Sequence, residues 1–180
     1  MISTGPMEIL EAASCNSLGG QWLATVPGIP KPKVKFECEF VAESRDPIRG
    51  SSGPFIVATK TFDEVEGKQF DIILVPAGSV SFDPESIPKG VAKFIRAQVP
   101  GTKYVLSRTT SPAVQWVAKA RWVVDGKFWT SSGVTAGQDM AYEFLKTVTG
   151  EEFALAAKNM VELRAAGQDD DEFADVFKLT

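Results

Sequence analysis

Residues Ala120–Tyr142 read ARWVVDGKFWTSSGVTAGQDMAY, and the fold turns on how this stretch is read. Arg121–Val124 and Lys127–Thr130 are rich in aromatic and β-branched residues, and Asp125-Gly126 lies between them. That pattern predicts a tight β-hairpin, because Asp and Gly both tolerate the positive φ that two-residue turns require. From Ser131 to Gly137 the residues are small, which predicts a glycine-flanked loop. Helical spacing then resumes over residues 139–148. In α/β proteins, a strand end, a Gly-rich turn and a helix start commonly present backbone N–H groups to a ligand.

Working outward, the N-terminal segment predicts a helix over Met7–Leu18, with Pro6 suited to its first turn and Gly19-Gly20 beyond its end. Residues 27–32 read as a loop. Val34, Phe36, Cys38 and Phe40 alternate with charged residues, the mark of a half-exposed strand. Residues 55–58 form a short strand. Ile72–Val75 is an unbroken apolar run, as in a parallel strand covered on both faces. A helix is expected over Val91–Val99, a buried strand over Tyr104–Leu106 beside Ile72–Val75, and a last helix over Glu151–Ala166. Alternating strands and helices imply an α/β class with an open, doubly wound, mainly parallel sheet.

Several segments resemble the ThiJ/PfpI superfamily, the class I glutamine amidotransferase-like proteins with a flavodoxin-like sheet, and within it the isonitrile hydratase branch. The hairpin-to-helix stretch is the specific part. Gly5-Pro6-Met7-Glu8 resembles the family's Gly-Pro-x-Glu, Phe40–Glu43 with Asp46-Pro47 its next strand and turn, and Phe70–Gly78 the strand ending in its Pro-Gly-Gly loop. The resemblance implies catalytic roles for Glu8, on the first helix turn, and for Thr109, which falls at the nucleophile position. It also implies substrate binding by Pro76, Ala77, Gly78, Ser132, Gly133 and Val134. It brings no cofactor and no metal, a small-molecule substrate such as an isocyanide or another electrophilic carbon, and a homodimer.

The departures from the family matter equally. Its nucleophilic cysteine follows a strand like Lys103–Ser107, in a Val-Cys-Thr-Gly elbow. Here Arg108-Thr109-Thr110-Ser111-Pro112 follows instead, and the chain passes to Val114–Val117. The missing piece is the size of a βα unit, roughly 30 residues. Ile2 stands where the family has an Asp. The expectation is one domain over residues 1–180, truncated at its N-terminus and again after about residue 107. Thr109 has no evident base, since Arg108 stays protonated, and residues 109–112 also read as an ordinary turn.

Composition sets further bounds. The 180 residues carry 19 Lys/Arg and 23 Asp/Glu, a net charge of −4, without a basic stripe that would favour nucleic acid. Asp169–Glu172 is an acidic run expected to be a solvated tail. There is no histidine, which excludes Ser-His-Asp triads and His–metal sites. Cys15 and Cys38 read as buried small hydrophobes and as reduced cytoplasmic thiols, not as a disulfide framework. No leader is seen, and no apolar run approaches the ~18 residues of a membrane span. Trp116, Trp122 and Trp129 cluster around the hairpin, where cross-strand pairing accounts for them and a dimer surface is the second reading.

The function implied is isonitrile hydration, an isocyanide plus water giving an N-substituted formamide, impaired here by loss of the cysteine. The competing reading is a non-catalytic relative that binds a small molecule or a protein, accessory in some relatives to fungal secondary metabolism. A misread exon at the Ser107–Pro112 junction would also produce this sequence. A glyoxalase- or chaperone-like activity is less favoured, because it rests on the same cysteine.

Overall fold

The computed structural model describes residues 4–50, 53–76, 87–107 and 117–178. Its helices are α1 (Thr4–Ala12), α2 (Leu18–Leu23), α3 (Lys89–Gln98), α4 (Val134–Thr149), α5 (Glu151–Met160) and α6 (Phe173–Val176). Its strands are β1 (Val41–Ala42), β2 (Ile48–Arg49), β3 (Phe55–Ile56), β4 (Lys60–Thr61), β5 (Ile72–Val75), β6 (Tyr104–Ser107), β7 (Trp122–Asp125) and β8 (Phe128–Ser131). The architecture is α/β with mostly parallel pairing, as the sequence implies. Two compact units divide the described residues: 38–50, 53–76, 87–107 and 124–130 in the first, 4–37, 117–123 and 131–178 in the second. The boundary runs through the hairpin.

In the first unit, β5 and β6 pair in parallel from Ile72↔Tyr104 to Val75↔Ser107, the adjacency expected from two apolar runs separated by a helix. β6 also pairs in parallel with β8, from Val105↔Phe128 to Ser107↔Thr130. The strand order is β5-β6-β8-β7, so β6 is interior, while β5 is an edge among the described residues. Only Ile73 of β5 is buried, and the expected two-sided cover does not hold. β1 and β4 form a separate parallel pair and β2 and β3 an antiparallel one. The alternating segment Val34–Phe40 is irregular and joins no ladder; Phe40 N–H instead donates to Thr59 Oγ1 at 2.9 Å.

A neutral polar clasp fixes the approach to β5. Gln98, buried at the end of α3, donates from Nε2 to the Lys68 carbonyl at 2.7 Å and accepts from the Phe70 N–H at 2.9 Å. Its side chain thus stands in for a strand neighbour, satisfying one donor and one acceptor. Thr102 Oγ1 donates to the Phe70 and Gln98 carbonyls at 3.1 and 2.8 Å. Phe94 of α3 stacks on Phe62 at 4.9 Å and meets Phe70 edge-on at 6.2 Å.

The hairpin turn is shifted by one residue from expectation. Gly126, at φ +56°, and Lys127 are central, and Asp125 closes β7. Only glycine at the first central position needs positive φ here, the requirement of a type II′ turn.

The second unit holds the larger apolar core. Phe144 and Leu145 of α4, Ile9 and Leu10 of α1, Leu23 of α2 and Phe153 of α5 are almost wholly buried. Each such side chain contributes about 1.5–3 kcal/mol by leaving water. Gly150, at φ +88°, ends α4 and opens α5, whose first turn carries Glu151 and Glu152 against the helix dipole. The expected Met7–Leu18 helix is in fact two. α1 stops at Ala12, and Ser17 caps α2 by accepting from the Gly20 N–H at 2.9 Å. Gly19 and Gly20 therefore lie inside α2. A Cβ on Gly20 would overlap the Ser14 carbonyl, so close backbone approach explains this glycine. α5 ends at Met160, six residues before the expected boundary.

Candidate functional site

The β8–α4 junction is ordered differently from the loop that its composition implies. α4 begins at Val134, so residues 134–137 are helical. Gly137 is buried because α1 approaches there: a Cβ would come to 3.4 Å from Ser131 Oγ and 3.8 Å from Pro6 Cγ. Gly5 of α1 likewise faces Gln138 of α4. The first turns of α1 and α4 thus pack together beside Ser131.

The junction's polar groups are largely engaged. Ser132 donates to the Arg121 carbonyl twice, from its N–H at 2.9 Å and its hydroxyl at 3.2 Å. That N–H therefore does not point into a crevice. Gly133 takes the N-cap of α4 in an extended conformation, and Val134 is exposed.

Glu8 lies in the second turn of α1, not the first, and is exposed. It forms no hydrogen bond or ion pair among the described residues. The structure places it in the same unit as Ser132, Gly133 and Val134. Pro76 ends β5 in the other unit and is exposed. Ala77, Gly78, Thr109 and Trp116 lie outside the described residues. Trp122 and Trp129 are both buried.

The dominant electrostatic feature of this junction went unread in the sequence. Arg121 and Asp139 form a buried ion pair, their side chains 7% and 3% exposed. Arg121 Nε and Nη2 both donate to Asp139 Oδ2, at 2.8 and 2.6 Å, and Nη2 also reaches Thr135 Oγ1 at 3.2 Å. The Ala166 N–H donates to Asp139 Oδ1 at 3.2 Å. Gln168 completes the cluster, its carbonyl accepting from the Arg121 N–H at 2.7 Å and its Nε2 donating to the Trp122 carbonyl at 2.8 Å. The start of β7, the first two turns of α4 and the chain after α5 are thereby tied together. The available signal was a charge at each of two apolar positions: Arg121 between Ala120 and Trp122, and Asp139 beside Met140 and three residues after Ala136.

Both cysteines depart from expectation. Cys15 and Cys38 are exposed, Cys15 in the turn after α1 and Cys38 in the irregular segment before β1. Helical spacing and strand alternation suggested buried thiols, but α1 ends before residue 15, and the segment holding residue 38 has no sheet to face. Elsewhere, Glu64 is held below the ordinary glutamate range, first by the Thr61 N–H it accepts at 2.7 Å and then by Arg45. No described helix is long and apolar enough to cross a membrane.

Solved structures place this architecture. A ThiJ/PfpI family protein from Pseudomonas syringae superposes with a TM-score of 0.64 at 17% identity, over 97% of this chain and 77% of that one. The chain has the ThiJ/PfpI and DJ-1 fold. A DJ-1 superfamily protein from Salmonella typhimurium matches with a TM-score of 0.62 at 16% identity, over 89% and 92% of the two chains. Oxidised DJ-1 from Toxoplasma gondii gives 0.61 at 17%, over 89% and 90%. No family model matches the sequence, and no curated protein does. At these identities the ThiJ/PfpI likeness is one of fold.

Proposed function

We propose that this chain is an isonitrile hydratase-like protein that has lost the thiol reaction, and that it works as a non-catalytic binder of a small molecule. The observation that carries the reading is the placement of its thiols. The only two cysteines sit in exposed irregular segments, neither follows a strand, and the sequence has no histidine. In the reaction at issue, a thiolate adds to the isocyanide carbon while a proton is delivered, giving a thioimidate. Water then adds to that carbon, and the thiolate leaves as the formamide forms. Each step needs a low-pKa thiolate held over hydrogen-bond donors. An unassisted threonine hydroxyl is a far weaker nucleophile, so Thr109 does not replace it.

Within this reading the interior of the chain lacks the family's elbow segment after Ser107. Glu8 and Ser132–Val134, which lie in one unit, are the proposed binding residues, with Pro76–Gly78 proposed on the resemblance alone; a homodimer is the assembly, and the cytoplasm is the compartment for two reduced thiols. The test is formamide release from cyclohexyl isocyanide by the purified chain, beside Cys15→Ala, Cys38→Ala and Thr109→Ala. The expected result is no release above the buffer control. Turnover that disappears in one of the three variants overturns the reading and names the nucleophile.

A further inference from the structure

The chain's charge imbalance lies wholly in the second unit. Among the described residues that unit has nine Lys/Arg against thirteen Asp/Glu, whereas the first has nine against eight. Five of the thirteen carboxylates fall within residues 169–175. α6 grows out of this run as a seated element, not a loose tail. Asp171 Oδ1 accepts from the Phe173 N–H at 3.0 Å, Lys119 pairs with Asp175 at 3.1 Å, and Ala174 beneath is fully buried. The opposite side exposes Phe173, Val176 and Phe177, at 44%, 67% and 68%. Their i, i+3, i+4 spacing makes one apolar face, flanked by the exposed carboxylates of Asp169, Asp170 and Glu172. Three large apolar side chains beside uncompensated charge mark an interaction surface.

The first unit carries the complementary pattern. Lys89, Lys93 and Arg96 repeat at i, i+4 and i+7 along α3, and all three are exposed. None is ion-paired to a described residue. Exposed Ile87 precedes the helix. We infer that these surfaces are two halves of one contact between copies of the chain, the acidic, apolar α6 of one copy docking on the basic face of α3 of the next. Three carboxylates meet three cations, and the phenyl rings lie against the aliphatic stems and charged heads of the lysines and arginine. Such a contact joins two different surfaces, and when it is reciprocated between two copies it closes a dimer.

The experiment is sedimentation velocity on the full chain over a concentration series, in about 50 mM and about 0.5 M salt, which spans strong and weak screening. The expected result is species heavier than the 19.5 kDa monomer at low salt, reverting at least tenfold more readily at high salt. The variant D169K/D170K/E172K should be monomeric, and so should K89E/K93E/R96E. Their equimolar mixture should associate again, since each variant then supplies the partner the other lacks. Circular dichroism matching the parent chain shows that the variants are folded. A parent chain that stays monomeric at every concentration overturns the inference, and so does association that survives either charge reversal or is not restored by mixing.

Discussion

The β8–α4 junction and the end of β6 make an instructive contrast. At the junction the chain invests a buried ion pair and an engaged serine, and these polar groups are satisfied from within. At the end of β6 the sequence runs into Arg108-Thr109-Thr110-Ser111-Pro112, with neither a thiol nor an imidazole. On the proposed reading, the elements that hold the fold persist without the reaction, because packing and catalysis rest on different residues.

The sharpest way to break that contrast is at the ion pair. Arg121→Met leaves Asp139 buried and uncompensated, and Asp139→Leu does the same to Arg121. Each should destabilise the chain by about 3–5 kcal/mol in urea unfolding, whereas the double variant should recover most of the loss. Singles within experimental error of the parent would mean that the junction is not held as described. Gly20→Ala should follow, at about 3 kcal/mol by thermal unfolding, because backbone and not a flexible side chain opposes the new Cβ. Gln98→Leu should cost about 1–3 kcal/mol by stranding the Lys68 carbonyl and Phe70 N–H, with its damage confined to hydrogen-exchange protection around β5 and α3.

Smaller effects sharpen the other side. Glu64 has a lowered pKa in the folded state, so its contribution is present above the unfolded-state value, about 4.3, and fades as pH falls through the lower folded value. Glu64→Gln should therefore flatten the acid limb of a stability–pH profile and change little at neutral pH. Cys15→Ala and Cys38→Ala, at exposed positions, should each stay within about 0.5 kcal/mol of the parent.

Much of the framework was legible in the residues. Ile72–Val75 and Tyr104–Leu106 announced adjacent parallel strands by apolar runs, Asp125-Gly126 located the hairpin to within one residue, and the spacing of Met140, Phe144 and Leu145 located α4. What failed was set by tertiary contact. Gly137 reads as flexibility but is buried inside α4, in ordinary contact with Pro6 of α1. Residues 34–40 alternate like a strand yet have no ladder partner, Phe36 N–H being taken by Ser14 Oγ at 2.8 Å. Of the candidate site, Glu8 falls on the expected helix but one turn later, Val134 falls inside α4 instead of a loop, and the engagement of Ser132 depends on Arg121, eleven residues away, which no local pattern reveals.

The claim that no residue of this chain forms a covalent bond with an isocyanide carbon can be tested directly by intact-protein mass spectrometry. The purified chain is mixed with cyclohexyl isocyanide, quenched in acid and weighed. The account predicts the unmodified mass at all times. A stoichiometric adduct that appears, decays as formamide accumulates, and maps to Cys15, Cys38 or Thr109 would contradict it.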